Sequence, residues 1–468
     1  MQKLCFLNTL RQASASGRIP VIPDIKCVSP KDGDLMRGRD PRAIACNLAA
    51  GGAPVLSVVT EGAHFGGSMD LLKDICRAVN VPVLRKDFIE EEADLDRTKE
   101  AGADAVLLMV SCLGEERLTG LYHAALSRGL TPFVETHTPE SLRFALHRLK
   151  APLIGINHRD ILVLEKDDGN VSLTQQLLDG TVPLPDAREG GASPLIVAES
   201  AMHTPSEVRT AIRAGADAAL VGTGILTAPD PVRMYQRMTR RAGLKICGLM
   251  SEADVDACLE NHVDLCGFVT EYPVPVRWNL TEAQAAPLIR RAHNAGTRTC
   301  IVTGGSFSHV LSLAKKLKPD YVQLHFRETL EETVRICQAL HAEGISLIRS
   351  VPMNPAERLA MFGTDSLPDS LRMLDSSPAD AILIDSRDAE NAASGGGRIL
   401  SEGNMTQKLR DTLRNLRSPL FCGGGITAEN AAGIMALLHP DCLDVMTGAE
   451  DPHGRKDARK IRSILASY

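Results

Sequence analysis

One stretch, residues 81–88, sets the terms for the chain around it: Val-Pro-Val-Leu-Arg-Lys-Asp-Phe. It reads as a β-strand that ends on charge. Buried parallel strands are apolar throughout, because helices cover both faces of their sheet. Three ionisable side chains at such an end, Arg85, Lys86 and Asp87, are costly to bury unless they pair or meet a ligand. A single ending of this kind is what a strand running into a solvated loop produces. Here it recurs. Strand-like runs at 21–26, 55–60, 81–88, 105–110, 131–136, 153–158, 195–200 and 218–223 alternate with helical stretches such as 40–51, 69–79 and 139–149. Eight such units predict a parallel sheet closed into a (β/α)8 barrel. Gly-Ala-Asp precedes the strands at 105 and 218, a natural helix stop and turn.

After a helical stretch at 230–242 the pattern restarts. Runs at 244–249, 265–270, 298–303, 321–325, 346–351, 381–385, 419–423 and 442–446 make a second set of eight. The fold class is therefore α/β: two tandem (β/α)8 TIM barrels, residues 1–242 and 243–468, joined without a disordered linker. Two segments break the rhythm. Residues 167–191 hold a helix-like piece at 172–179 and then a loop rich in Pro and Gly. Residues 354–380 form a long connection with Pro355, Pro368 and Pro378, and a Gly-rich stretch at 394–397 follows the sixth strand.

Composition removes several classes of function. A net charge of −6 argues against a general nucleic-acid binder, and 3% aromatics supports neither base stacking nor a membrane-interface belt. No run is long and apolar enough to span a bilayer. The first residues lack an apolar core followed by a cleavage site, so no signal peptide is predicted. Twelve cysteines are irregularly spaced, without a C-x-x-C pair, and fit reduced core residues of a cytoplasmic protein. Neither a metal nor an organic cofactor is expected, and nothing pairs His137 or His158 as ligands. Oligomeric state stays open.

In a barrel of this kind active sites lie at the C-terminal strand ends. Those of the first half collect Asp24, Lys26 and Ser29; Glu61 with Phe65 after it; Lys86, Asp87 and Phe88; Glu135; Asn157, His158, Arg159 and Asp160; Glu199 and Ser200; and Gly222 with Thr223. One solvated charge would mean little. Lys26, Lys86, Glu135 and Glu199 at equivalent points of four strands predict a rim where lysines face carboxylates, the setting that acid–base chemistry needs. Small residues after strands seven and eight fit a phosphate site.

These motifs resemble indole-3-glycerol-phosphate synthase. Val-Ile-Pro-Asp-Ile-Lys-Cys-Val-Ser-Pro, Ser-Val-Val-Thr-Glu with Phe-Gly-Gly-Ser, Val-Leu-Arg-Lys-Asp-Phe-Ile, Gly-Ile-Asn-His-Arg-Asp and Val-Ala-Glu-Ser occur in family order over about residues 5–240. The resemblance implies closure of an indole ring from 1-(o-carboxyphenylamino)-1-deoxyribulose 5-phosphate, with loss of CO2 and water. It implies Lys86 as general acid, Glu135 as its partner acid/base and Lys26 at the substrate carboxylate and phosphate. Asn157 and Glu199 would orient hydroxyls and ring nitrogen, and Ser200 and Gly222 would wall the phosphate. Phe65 and Phe88 suit the aromatic ring. This chain departs from the family at Asp24, where Glu is usual, at Cys27 and Val28, where basic residues are common, at His158 for Asn and at Ala201 for Gly. The N-terminal extension that lids the family's barrel is short here.

In the second half, Cys247 and Asp385 end apolar strands. A thiolate can take a proton from carbon and a carboxylic acid can give one to a ring oxygen, which together suit an isomerase. Gly424, Gly425, Thr447 and Gly448 follow strands seven and eight as a second phosphate cradle of backbone N–H groups, and Arg277 offers a planar fork to a carboxylate. Lys-Ile-Cys-Gly, Gly-Phe-Val, Arg277, Val-Gln-Leu-His, Ile-Asp-Ser, Gly-Gly-Ile-Thr-x-Glu-Asn and Gly-Arg-Lys-Asp resemble phosphoribosylanthranilate isomerase over about residues 244–468. The resemblance implies an Amadori rearrangement with Cys247 as base at C2, Asp385 as acid at the furanose oxygen and Arg277 at the anthranilate carboxylate. Departures are Phe326, where Gly usually follows Leu-His, a reduced Gly-rich loop at 394–401, and Pro275-Val276 before the arginine.

The expectation is a bifunctional enzyme of tryptophan biosynthesis acting on anionic small molecules, phosphoribosylanthranilate and its aminoketose product. Two other readings stay open: a barrel pair diverged to another sugar phosphate, and a pair with one barrel non-catalytic.

Overall fold

The computed structural model describes residues 5–15, 18–159, 169, 173–181, 193–385, 406–414 and 416–468. Asp160, most of the 167–191 segment, Ser386 and the Gly-rich loop at 394–401 lie outside the described residues. The chain forms two compact units, Met1–Arg241 and Ala242–Tyr468.

Each unit closes an eight-stranded barrel in which neighbours pair in sequence order. The first consists of β1 (Val21–Ile25), β2 (Leu56–Val59), β3 (Val83–Lys86), β4 (Ala105–Met109), β5 (Thr131–Thr136), β6 (Leu153–Asn157), β7 (Leu195–Glu199) and β8 (Ala218–Val221). The second consists of β9 (Gly243–Ile246), β10 (Leu265–Val269), β11 (Arg298–Thr303), β12 (Tyr321–Leu324), β13 (Ser346–Pro352), β14 (Ala381–Asp385), β15 (Leu420–Gly423) and β16 (Cys442–Val445). All pairs are parallel, including the closing ones between β1 and β8 and between β9 and β16. Several strands stop one or two residues short of the apolar runs in the sequence. Thr60, Asp87, Phe88 and Cys247 fall just beyond the strands and belong to the rim, with the amides of Thr60 and Cys247 still bonded to Lys86 O (3.0 Å) and Val445 O (2.8 Å).

Alternation along each strand sorts the side chains into two cores. In the first barrel Ile22, Leu84, Leu107, Phe133, Val197 and Leu220 fill the interior. Val21, Val83, Val106, Val134, Ile196 and Ala219 face the helices. The helix Phe6–Ala15 joins the interior cluster through Phe6 and Leu10, both fully buried. Cys5 at its start reaches Thr131 Oγ1 (3.6 Å), and Arg11 donates to Ser193 O (3.2 Å). Both contacts lie where strands begin. The N-terminal helix thus plugs the end of the barrel opposite the rim, and does not serve there as a lid.

The aspartate of the Gly-Ala-Asp motif does more than turn the chain, and aspartates at the same place before four strands of the second barrel act alike. Asp104 accepts from the Val83 amide (3.0 Å), Asp217 from Ile196 (2.8 Å), Asp264 from Leu244 (2.9 Å), Asp320 from Thr299 (2.7 Å), Asp380 from Leu347 (2.7 Å) and Asp441 from Leu420 (2.8 Å). Each aspartate precedes an even-numbered strand and holds the start of the odd-numbered strand before it. All but Asp320 also donate their own amide to the carbonyl of the same residue. The carboxylate supplies an acceptor that the ladder lacks at its first rung.

The 354–380 connection, expected as irregular, carries two helices, Pro355–Phe362 and Leu367–Asp375. Its prolines are compatible with helix because Pro355 and Pro368 occupy the first turn, where an amide has no intrahelical partner. The helix-like piece near 172–179 is a helix at Leu173–Thr181.

Replacing Asp441 with Ala leaves the buried Leu420 amide without its acceptor. The expected cost is about 1–3 kcal/mol, read as a lower urea midpoint for the second unit. An unshifted midpoint would show that the carboxylate does not hold the strand start.

Candidate active sites

In the first barrel, interior alternation carries past the last apolar layer and delivers polar groups to one rim. Leu84 points inward, so Lys86 does too. The same parity places Glu135 above Phe133, Asn157 above Leu153, Glu199 above Val197, and Asp24 and Lys26 above Ile22. Lys86 Nζ lies 3.6 Å from Glu135 Oε2 and 4.0 Å from Glu199 Oε2. Both carboxylates are buried, Glu199 completely. One ammonium therefore faces two buried carboxylates, where such interactions are stronger than in water. Room for Glu199 comes from Gly155 on β6, since a Cβ there would fall on the Glu199 carboxylate. Asn157 is fully buried and accepts from the Arg159 amide (3.0 Å), while its Nδ2 has no hydrogen-bond partner among the described residues. An unpaired buried amide is costly and marks a place for a ligand acceptor.

A small cavity of about 30 Å³ adjoins this cluster, lined by Asp24, Lys26, Phe65, Lys86, Phe88 and Met109 among others. Lys26 Nζ lies 5.7 Å from the Phe65 ring centroid. Asp24 Oδ1 accepts from Ser57 Oγ (2.6 Å). Gly222 packs close above this pair, so that a Cβ would sit 3.4 Å from Asp24 Oδ2 and from Lys26 Cε. Thr223 follows it, opening the short helix Thr223–Leu226.

Other rim residues have structural partners. Arg85 points outward and is buried. It donates to Asp87 Oδ2 (2.8 Å), Thr60 Oγ1 (3.0 Å), Thr98 Oγ1 (3.0 Å) and the Asp94 carbonyl (2.9 Å). Asp87 is thus the partner of Arg85. Ser29 donates to Asp32 Oδ2 (2.9 Å) inside a tight hairpin turn. Arg159 is buried next to Asn157. Ser200 and Ala201 both have left-handed backbone, φ 65° and 56°. This corner is where glycine is the unstrained choice, so the alanine stands in a strained position. His158 pins it: Nδ1–H donates to Ser200 O (3.1 Å) and Thr174 Oγ1 donates to Nε2 (2.7 Å). His137 donates through Nδ1 to Asn157 O (2.7 Å).

The second barrel has a different centre. Cys247 lies just beyond β9, almost fully buried, and Gly267 on β10 makes room for it: a Cβ there would lie 3.1 Å from Cys247 Sγ and 3.2 Å from Lys245 Cε. Lys245, fully buried inside the barrel, bonds Asp444 Oδ2 at 2.7 Å. Burial pulls its ammonium down, but the Asp444 carboxylate more than offsets this and holds it charged. Asp385 ends β14, and its Oδ2 is 3.2 Å from His325 Nε2. Gln323 donates to His325 Nδ1 (3.0 Å), which turns the Nε2–H toward the carboxylate. Lys245 and His325 stand inside the Lys-Ile-Cys-Gly and Val-Gln-Leu-His motifs, where the sequence marks no chemistry for them. Only the fold shows what they touch.

Arg277 sits over Trp278, 4.5 Å from its ring centroid, and bonds Glu450, which also accepts from Trp278 Nε1 (2.8 Å) and Lys456 Nζ (2.9 Å). Gly424 and Gly425 have φ of 94° and 64°. The turn Thr447–Ala449 packs against Ile426, just after them, so tightly that a Cβ on Gly448 would strike Ile426 O. The loops after β15 and β16 thereby meet. A cavity of about 220 Å³ is lined by Asp385 and His325 together with Tyr272, Val276, Phe326 and Met361.

The family model described as indole-3-glycerol phosphate synthase matches residues 1–238, and that described as N-(5'phosphoribosyl)anthranilate (PRA) isomerase matches 244–467. Among curated proteins, the indole-3-glycerol phosphate synthase of Pyrococcus furiosus is 40% identical over 218 residues, covering 47% of this chain and 90% of its own. The protein of the same description from Thermococcus kodakarensis is 41% identical over 218 residues, covering 47% and 91%. That from Halobacterium salinarum is 42% identical over 222 residues, covering 47% and 80%.

Burial draws the His158 imidazole down to about 4, outweighing its bond to Ser200. In the unfolded chain it would titrate near 6.5. Between these values the unfolded state holds the extra proton, so this contribution to stability is complete above 6.5 and is lost as pH falls toward 4. The first unit's urea midpoint is expected to drop on acidification through this window, and less steeply in His158→Asn. Equal slopes for the two proteins would contradict the assignment.

Proposed function

The chain belongs to the indole-3-glycerol phosphate synthase family, with a phosphoribosylanthranilate isomerase barrel fused behind it, and on that premise we propose which residues carry each reaction. The enzyme is bifunctional in tryptophan biosynthesis. Its second barrel isomerises N-(5-phosphoribosyl)anthranilate to 1-(o-carboxyphenylamino)-1-deoxyribulose 5-phosphate. Its first barrel closes the indole ring of that product with loss of CO2 and water.

In the first barrel Lys86 donates the proton that lets the ketone oxygen leave, and Glu135 exchanges protons with it during dehydration. The convergence of Lys86 with Glu135 and Glu199 carries this reading, because a proton must pass between groups held within hydrogen-bond reach of one substrate. Asn157 and Glu199 orient the sugar hydroxyls and the ring nitrogen. Lys26, above the Phe65 ring, binds the carboxylate that departs as CO2 and helps hold the phosphate. Phe65 and Phe88 flank the aromatic ring, and Ser200, Gly222 and Thr223 wall the phosphate end. Asp24, tethered to Ser57 beside Lys26, positions the lysine.

In the second barrel the Cys247 thiolate takes the proton from C2 and Asp385 protonates the furanose oxygen, opening the ring. The Lys245 ammonium favours the thiolate, and His325 orients the Asp385 carboxyl. Arg277 binds the anthranilate carboxylate from its place over Trp278, and the amides around Gly424, Gly425, Thr447 and Gly448 take the phosphate. Residues 1–242 and 243–468 are the two catalytic domains. Among the described residues no helix is long and apolar enough to cross a membrane, and all twelve cysteines are free, which supports a place in the reducing cytoplasm.

Lys86→Met is expected to lower synthase turnover about 10²–10⁴-fold, and Cys247→Ala and Asp385→Asn to lower isomerase turnover as far. Each change should spare the other reaction, so complementation of two tryptophan auxotrophs separates them. A Cys247→Ala protein with full isomerase activity would overturn the second assignment. Gly155→Ala should displace Glu199 and lower synthase turnover at least about 10²-fold, with the isomerase as internal control.

A further inference from the structure

Phe326 follows the Leu-His motif of β12 at a position where the isomerase family usually has glycine. A bulky ring there could crowd the site, but its surroundings are built to hold it. Gly304, after β11, gives it space, since a Cβ at Gly304 would collide with that of Phe326. The backbone beneath is clamped. Arg349, fully buried, donates to the carbonyls of Leu324 (2.9 Å), Phe326 (3.4 Å) and Glu328 (2.6 Å). Glu328 Oε1 in turn accepts from the Gly305 amide (2.7 Å). The ring packs edge-to-face on Tyr272, centroids 6.1 Å apart at 82°, and Tyr272 is fixed by donating its hydroxyl to His325 O (2.6 Å). The Arg327 guanidinium lies 5.8 Å from the Phe326 centroid.

We propose that Phe326, braced by Tyr272, is the wall against which the aminobenzoate ring of the isomerase substrate lies. This rests on the isomerase reading of the second barrel. The cavity that holds Asp385 is apolar on this side, with Val276, Val351 and Met361 beside Phe326. Arg277 directly follows Val276 in the chain but does not itself line this cavity, whereas the cationic Arg327 does. The phosphate-binding loops around Gly424 and Thr447 do not line this cavity. A flat apolar ring bearing a carboxylate therefore fits this end, and the sugar phosphate the other. An immobilised aromatic wall loses no side-chain freedom when a ring stacks on it, which is how preorganisation adds affinity. Arg327, 5.8 Å from the Phe326 centroid and lining the same cavity, adds positive potential that suits an anionic aromatic ligand.

The test uses the full-length protein with Phe326→Gly and Phe326→Leu, titrated with anthranilate by its fluorescence and assayed for isomerase turnover. Loss of the wall should weaken anthranilate binding and raise the substrate KM by about fivefold in the glycine variant. The leucine variant, which keeps apolar volume without a π face, should fall between. Inhibition by inorganic phosphate, which reads the other end of the site, should stay within about twofold for both. A glycine variant with a lower KM, or variants that bind anthranilate as tightly as the parent, would overturn the proposal. So would equal loss of anthranilate and phosphate affinity, which would indicate a damaged barrel. Should the parent protein fail to turn over the isomerase substrate, the activity reading falls, and the anthranilate titration still decides the role of Phe326.

Discussion

A strand in a closed barrel has two sides, and the chemistry of this chain depends on which one each residue takes. The interior of such a barrel is packed with side chains, so a polar group can point inward only above the last apolar layer. Lys86 and Arg85 show the consequence. They are adjacent and similarly charged, yet Arg85 turns outward to tie β3 to the following helix, and Lys86 turns inward to meet Glu135 and Glu199. A shift of one residue in register would exchange them and empty the site. The six aspartates that link β4, β8, β10, β12, β14 and β16 to the start of the strand before each act on this same register, from the end far from the chemistry.

Burying charge in this way requires partners, and each barrel meets the requirement differently. The first sets one lysine against two carboxylates and places Asn157 with an unused amide beside them. The second buries Lys245 against Asp444 beneath Cys247, and Arg349 against Glu328 and three carbonyls outside the ring of strands. Pairs of this kind contribute little net stability, but removing one member leaves a buried charge uncompensated. They position reactive groups rather than add to the core. Glycines serve the same end by being small: Gly155 admits the Glu199 carboxylate, Gly267 admits Cys247 and Gly304 admits Phe326.

The substitutions that set this chain apart from its families acquire different meanings in three dimensions. Ala201 occupies a left-handed corner beside Ser200, which His158, itself a departure, pins through Ser200 O. The two changes are neighbours in space and form one altered corner. Phe326 is matched by Gly304 and Tyr272 and forms a built surface. Asp24 is shorter than the usual glutamate but is tethered to Ser57 alongside Lys26.

Much of the architecture was legible in the chain. Sixteen apolar runs with polar endings predicted two barrels, because strand burial and rim exposure are local properties that leave a periodic mark. The same mark singled out Lys86, Glu135, Glu199, Cys247 and Asp385. It could not show that Asp87 belongs to Arg85, that Ser29 closes a turn, that the 354–380 connection is helical or that the N-terminal helix plugs the far end. Nor could it find His325 beside Asp385 or Glu450 beneath Arg277. The sequence by itself determined which residues stand at strand ends, since alternation and helix spacing act over a few residues. Only the tertiary structure decided which of them meet, because Lys86, Glu135 and Glu199 come from strands far apart in the chain and are brought together by closure of the barrel.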